Sequence, residues 1–357
     1  MKQKLIDYIK TEFRSFEEFP PTEMDYATFA QLSYFDFSVY LPLFGDSILF
    51  KDLYDLSKID LLLKRVAYRS LDKDFFLSVI GNPRFRHVSV LHFQHYFFID
   101  REEQFAAVTF YLPNNEKVIA FRGTDASLVG WKEDFNMALD APIESQIDAK
   151  SYLEMAWGLD EKPLTLVGHS KGGNLAAYAF FSASKERQKQ IKTVYSFDGP
   201  GFAKSLRDAF SLDYKSKYCH LVPKESIIGQ LYADGDFQIV VDSEGKMLEE
   251  HSLYEWIGEE GQFFRVPLIN PSVKKAMLSF NEWARSVSYE DRVFLVDALY
   301  DLVLKAGIKN AKELADEKIG SALKIGKAYK GLDDFTKGRL ISIGKTLLPM
   351  LKETFLS

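Results

Sequence analysis

The sequence predicts an α/β protein, a mostly parallel sheet covered by helices, with a helical region before it and a helical extension after it. Three observations carry the prediction. From about residue 140 to residue 241, apolar strand-like runs alternate with helical stretches, and the connections are too long for hairpins. Residues 86–121 hold three β-branched or aromatic runs separated by short turns. On both sides of this stretch the apolar residues fall at helical spacing. The 357 residues allow two domains or one large domain with additions. The expected division is an N-terminal helical region at 1–80, an α/β core at 81–265 and a C-terminal helical region at 266–357.

Taken in order, residues 1–80 read as helical. Thr22 before Glu23-Met24-Asp25 makes a capping box with Asp in place of Glu. Tyr26, Phe29, Ala30 and Leu32 then follow at helical spacing, and a further helix over 71–80 ends at Gly81, with Pro83 two residues on. The texture changes at Arg86. The runs 87–99, 105–112 and 117–121 predict strands, antiparallel because their connections are short. Next come helix 143–157, strand 164–167, helix 175–181, strand 193–197, helix 203–210, and strands 218–222 and 237–241. Beyond about residue 265 the chain is helical, and Gly320, Gly326, Gly331, Gly338 and Gly344 argue against one long helix.

The stretch that carries chemistry is Leu164-Thr-Leu-Val-Gly168-His169-Ser170-Lys171-Gly172-Gly173-Asn174-Leu175. It holds G-x-S-x-G between a buried strand and an Ala-rich helix, the context of a nucleophile elbow and hence of an α/β-hydrolase core. A serine between strand and helix sits on a turn so tight that the residues two before and two after it must lack side chains. Gly168 and Gly172 meet that demand. The N–H groups of the following helix point towards the site and favour a developing oxyanion.

Serine needs a base to take its proton, and in this fold the partners follow the nucleophile in the order acid, then histidine. Of six histidines only His220 and His251 come after the elbow. His220 lies in the apolar run Tyr218-Cys-His-Leu-Val and reads as a strand residue. His251 follows the last strand-like run, where the base belongs. For the acid, Glu225 after strand 218–222 is preferred, Asp198 in Phe197-Asp-Gly-Pro-Gly201 is the alternative, and Asp234 and Asp236 are further candidates. One oxyanion donor is the Lys171 N–H. The other is Thr124, where a strand ends in Phe121-Arg-Gly-Thr124. Trp131 and Asp134 share one helical face, with Asp134 placed to anchor that loop, and His169 inside the elbow is a further supporting residue.

Phe121-Arg-Gly-Thr124 with Trp131-x-x-Asp134 and Gly168-His-Ser170-x-Gly172 resembles the class 3 (fungal-type) lipase pattern. The fuller Gly168-His-Ser-Lys-Gly-Gly-Asn-Leu-Ala176, with Phe197-Asp-Gly-Pro-Gly201, is similar to a bacterial family of lipase-like α/β-hydrolases of unknown function. Asp25-Tyr-Ala, Leu32-Ser-Tyr34 and Asn281-Glu-Trp283 look like that family too, so the resemblance covers most of the chain. It implies an acyl-ester hydrolase with Ser170 as nucleophile, Thr124 in the oxyanion hole and His251 as base. The sequence departs from class 3 lipases where their acid stands, reading Glu225-Ser-Ile-Ile-Gly, and matches only loosely around His251-Ser-Leu-Tyr-Glu-Trp256.

The expected function is therefore cleavage of acyl esters, of a small molecule or a lipid, through an acyl-enzyme. Alternatives are a thioesterase or acyltransferase on the same site, or a non-catalytic binding protein that keeps the fold. No metal or organic cofactor is called for. The single cysteine, Cys219, excludes a zinc site built on paired cysteines and an internal disulfide. His87, His92 and His95 do not share a strand face and read as structural. With 45 basic and 51 acidic residues the net charge is −6, and no nucleic-acid partner is expected. The N-terminus lacks a secretory apolar run and no stretch is long enough to span a membrane, so the expected location is cytoplasmic. Residues 303–357 carry 11 Lys/Arg against 6 Asp/Glu. Leu340, Ile343, Leu347 and Leu351 share a helical face there. That face reads either as packed on the body or as lying on the inner face of an anionic membrane, a peripheral contact.

Overall fold

The computed structural model describes residues 2–40, 47–55, 57–64, 66, 68–125, 127–139, 141–158, 162–210, 213–233, 238–308, 313 and 318–355. The N-terminal region supplies helices α1 (Leu5–Thr11), α2 (Glu23–Leu32) and α3 (Arg69–Gly81), with strand β1 (Ser47–Leu49) between the last two. Then come β2 (Ser89–Phe98), β3 (Glu103–Tyr111), β4 (Lys117–Phe121), α4 (Leu128–Asn136), α5 (Glu144–Trp157), β5 (Leu164–His169), α6 (Lys171–Phe181), β6 (Ile191–Phe197), β7 (Tyr218–Pro223) and β8 (Gln238–Val241). The C-terminal helices are α7 (Pro271–Ser286), α8 (Tyr289–Lys305), α9 (Lys318–Lys330) and α10 (Asp334–Phe355).

Among the described residues the sheet has eight strands in the order β1 to β8. Strands β1 to β4 pair antiparallel, and β4 to β8 pair parallel. The α/β architecture is thus the predicted one, with one addition. The region expected to be purely helical donates β1 to the sheet edge, three residues being too few to show a period.

Along β3, β4 and β5 both faces of the sheet are buried, and alternation along the strands decides which face each residue serves. Val108, Phe110, Val118, Ala120 and Val167 face a core shared with α1, α2 and α3, through Tyr8, Phe29 and Phe76 among others. Phe105, Ala107, Ile119, Phe121 and Leu166 face α5 and α6 on the other side. The N-terminal helices are one outer layer of the sheet. Thr22 caps α2, its main-chain N–H donating to Asp25 Oδ2 at 2.8 Å. Asp25 also forms a fully buried ion pair with Arg84 at 2.7 Å. A residue chosen by spacing as a cap is therefore also the anchor of residues 82–86.

The C-terminal helices pack on α4 and the residues just after it. Arg292 of α8 donates to the Ala138 carbonyl at 2.7 Å, and Lys132 of α4 pairs with Asp297 of α8 at 2.9 Å. The apolar face of α10 is turned inward: Ile343 is buried against Trp283 of α7 with Leu347 beside it, and the Trp283 indole donates to Thr346 at 2.8 Å. Leu351 lies where side chains are not described. Ile343 and Leu347, two of the four residues of that face, thus pack on the protein's own body. Among the described residues no helix is long and apolar enough to cross a membrane.

Candidate active site

Ser170 stands between β5 and α6 with φ 59° and ψ −132°, a backbone conformation that costs a non-glycine residue about 1–3 kcal/mol. Its N–H is held by the Phe197 carbonyl at 3.0 Å. The two flanking glycines are steric necessities. A Cβ on Gly168 would lie 2.1 Å from the Gly172 carbonyl oxygen, and one on Gly172 would lie 2.1 Å from the Phe121 carbonyl oxygen. The elbow thus wedges α6 against the end of β4, the strand that leads into Thr124.

His251 ends a short helical turn, Met247–His251, and its Nδ1 lies 2.6 Å from Asp198 Oδ2. A carboxylate there can only accept, so Nδ1 carries a hydrogen and, in the neutral ring, Nε2 keeps the lone pair. Asp198, with φ 49°, turns back from the end of β6 and is buried. Its other oxygen accepts from the Ser226 hydroxyl at 2.5 Å and from the Gly229 N–H at 3.2 Å. Three donors therefore fix one buried carboxylate.

Glu225, the preferred acid on sequence, is not at the histidine ring. Its carboxylate accepts from the Met247 N–H at 3.2 Å and from the Asn270 amide at 3.1 Å. It closes the loop that carries His251 from the opposite end. The Glu225-Ser-Ile-Ile-Gly stretch does reach Asp198, through Ser226 and Gly229. Asp234 and Asp236 lie outside the described residues. His220 is buried with Nε2 2.8 Å from the Gly199 carbonyl, which fits its strand reading.

His169 supports His251 through the main chain. Burial, with the charge of His251 acting in the same direction, lowers its pKa to about 3, so the ring is neutral. Nε2 lies 2.6 Å from the His251 carbonyl and must donate to it, which leaves Nδ1 to accept from the Tyr34 hydroxyl at 2.9 Å. Trp256 holds the same turn by donating its indole N–H to the Glu250 carbonyl at 2.7 Å. Tyr34 is a site residue that spacing alone missed. It stands in the Leu32-Ser-Tyr34 string, far in sequence from the elbow it touches.

On the oxyanion side, the Thr124 hydroxyl donates to Asp134 Oδ1 at 2.6 Å. Trp131, on the same helix, is partly exposed. The Lys171 side chain turns inward, its ammonium 2.5 Å from Glu133 and 2.7 Å from the Gln104 carbonyl, with both charged side chains 1% exposed. Glu133 also accepts from the Gln104 and Ser145 N–H groups, each at 3.1 Å. Glu133 sits between Trp131 and Asp134, 38 residues before Lys171, and no local spacing in the sequence signals the pair.

Burial pushes the Asp134 carboxyl up to about 6, the Glu133 charge adding to the shift while Lys171 and the Thr124 hydroxyl oppose it. The unfolded value is about 3.9, so the folded protein keeps a proton there that the unfolded chain releases. This contribution to stability is whole below pH 4 and is lost as pH rises through 6. Asp134→Asn removes the loss. Relative to wild type it should gain about 2 kcal/mol between pH 4 and pH 7.5, read by urea denaturation at both. A difference independent of pH would show a carboxyl ionised throughout.

Among the described residues no cluster of His, Cys, Asp and Glu is arranged to hold a metal ion. No curated protein matches the sequence. Solved structures with a similar arrangement include the Rhizomucor miehei lipase propeptide complex, at 12% identity over 61% of this chain and 67% of that one, TM-score 0.35. Lipase II from Rhizopus niveus matches at 12% identity over 61% and 77%, TM-score 0.34. A variant of MDLA from Penicillium cyclopium matches at 13% identity over 70% and 91%, TM-score 0.37. A family model matches residues 79–301, from the end of α3 through the elbow, Asp198 and His251 into α8, and the chain belongs to the Mbeg1-like family.

Proposed function

We propose that the protein is a serine acyl hydrolase that cleaves carboxylic esters, with Ser170 as nucleophile, His251 as base and Asp198 as acid. The observation that carries the reading is the His251–Asp198 pair, closed at 2.6 Å from two separate loops, with Asp198 next to the Phe197 whose carbonyl takes the N–H of the strained Ser170. In this reading the Ser170 oxygen attacks the ester carbonyl and its proton passes to His251 Nε2. The N–H groups of Thr124 and Lys171 receive the oxyanion. Collapse of the tetrahedral intermediate returns the proton to the leaving alkoxide and leaves an acyl-Ser170. Water, deprotonated by the same nitrogen, then releases the acid and restores the serine. Ionised Asp134, accepting the Thr124 hydroxyl, fixes the loop so that the main-chain donor is aimed before substrate arrives.

A fluorophosphonate probe tests this. Wild type should be labelled and Ser170→Ala should not, and the variant should lose about 10³-fold or more in p-nitrophenyl ester turnover. Folded wild type that takes no label and turns over no ester would instead be a binding protein that keeps the fold.

A further inference from the structure

An apolar cavity of about 220 Å³ lies between α4, the segment around Tyr232, and the C-terminal helices α7, α8 and α10. Its walls include Phe135, Trp283, Ala284, Leu295 and Leu347. Arg292 also lines it, but that guanidinium donates to the Ala138 carbonyl at 2.7 Å. The Tyr232 hydroxyl is kept protonated, burial pushing it up to about 12. The lining therefore offers an aliphatic group no anion and one cation already tied to a carbonyl.

Two of its walls belong to segments that hold catalytic groups. Phe135 follows Asp134, whose carboxylate takes the Thr124 hydroxyl, and Ala138 lies one turn further. On the other side, Tyr232 follows the stretch that gives Ser226 and Gly229 to Asp198. That stretch is pinned to α7, where Asn281 donates to the Gln230 carbonyl at 2.8 Å and accepts from the Tyr232 N–H at 3.0 Å. The cavity thus lies between the helix that carries Asp134 and the segment just after the stretch that bonds Asp198, and the C-terminal extension completes it.

We propose that this cavity takes the aliphatic chain of the substrate, so that the C-terminal helices set chain-length preference. The proposal rests on the hydrolase reading for the identity of that substrate. A dry cavity of about 150 Å³ lined by Leu, Ile and Phe accommodates benzene, six carbons. By that measure this one takes a medium chain of about eight or nine carbons. Its occupant is an unbranched acyl group, which conforms to irregular apolar walls and needs no polar partner along its length.

The test has a binding arm and a kinetic arm. In the Ser170→Ala protein, 8-bromooctan-1-ol should quench tryptophan fluorescence saturably through its heavy atom, and Trp283→Phe in that background should abolish the saturable part. In the kinetic arm, p-nitrophenyl esters from acetate to dodecanoate are compared. Ala284→Phe narrows the cavity and should lower the octanoate-to-acetate ratio of kcat/KM about ten-fold or more. Leu295→Ala enlarges it and should move the optimum to longer chains. Opposite shifts are not what general destabilisation produces. Absence of saturable quenching, or one unchanged optimum in both variants, overturns the proposal. Saturable quenching through Trp283 in a wild type that hydrolyses no ester supports the chain site and overturns the hydrolase reading.

Discussion

Asp198→Asn should lower kcat for a short p-nitrophenyl ester by about 10⁴-fold with KM little changed. The reason lies in hydrogens rather than in bulk. Asp198 accepts from His251 Nδ1 at 2.6 Å, and that bond keeps the hydrogen on Nδ1 and the lone pair on Nε2. An asparagine amide can present an N–H to Nδ1, which moves the ring hydrogen to Nε2 and removes the base. It also leaves an imidazolium without its counter-charge when the serine proton arrives. Glu225→Gln should stay within about three-fold of wild type, because its carboxylate lies away from the His251 ring, accepting from the Met247 N–H at one oxygen and the Asn270 amide at the other, and a glutamine oxygen keeps one of the two. Steady-state kinetics of both variants decides between the carboxylates. A collapse in Glu225→Gln with a mild Asp198→Asn effect would return the acid to the position the sequence favoured.

That contrast shows where sequence reading reaches its limit. The elbow is legible because steric necessity writes it in five consecutive residues: Gly168 and Gly172 leave contacts that no Cβ fits. The strands of both sheet faces are legible because alternating residues such as Val108 and Ala107 serve different cores. The carboxylate that meets His251 is not, because two carboxylates follow successive strands and the choice depends on which way the His251 loop folds back. Contacts over long separations decide that direction: Tyr34 with His169, and His169 with the His251 carbonyl. Pairing at such distance leaves no local period. The inward face of α10 was ambiguous for the same reason. A stripe of Ile343 and Leu347 is the same pattern whether Trp283 or a lipid lies against it.

Lys171→Met should destabilise the protein by about 3–5 kcal/mol, the cost of leaving the Glu133 carboxylate buried without its counter-ion. In the proposed mechanism the pair matters beyond stability, because it joins the two halves of the oxyanion hole. Lys171 is the first residue of α6, and its main-chain N–H is one donor; Glu133 precedes Asp134, which holds Thr124, the other. A 2.5 Å ion pair therefore sets the separation of two groups that must converge on one oxygen. Folded Lys171→Met should accordingly lose about 10²–10³-fold in kcat, as when one donor of such a hole is removed. Adding Glu133→Gln removes the stranded charge while its amide oxygen still accepts one of the Gln104 and Ser145 N–H groups. The double variant should therefore be more stable than Lys171→Met alone in urea, yet recover little kcat, since nothing then ties α4 to the elbow by charge. Recovery of both together would show that the pair acts on stability alone, and recovery of neither would show that Glu133 matters through its main-chain partners rather than through Lys171.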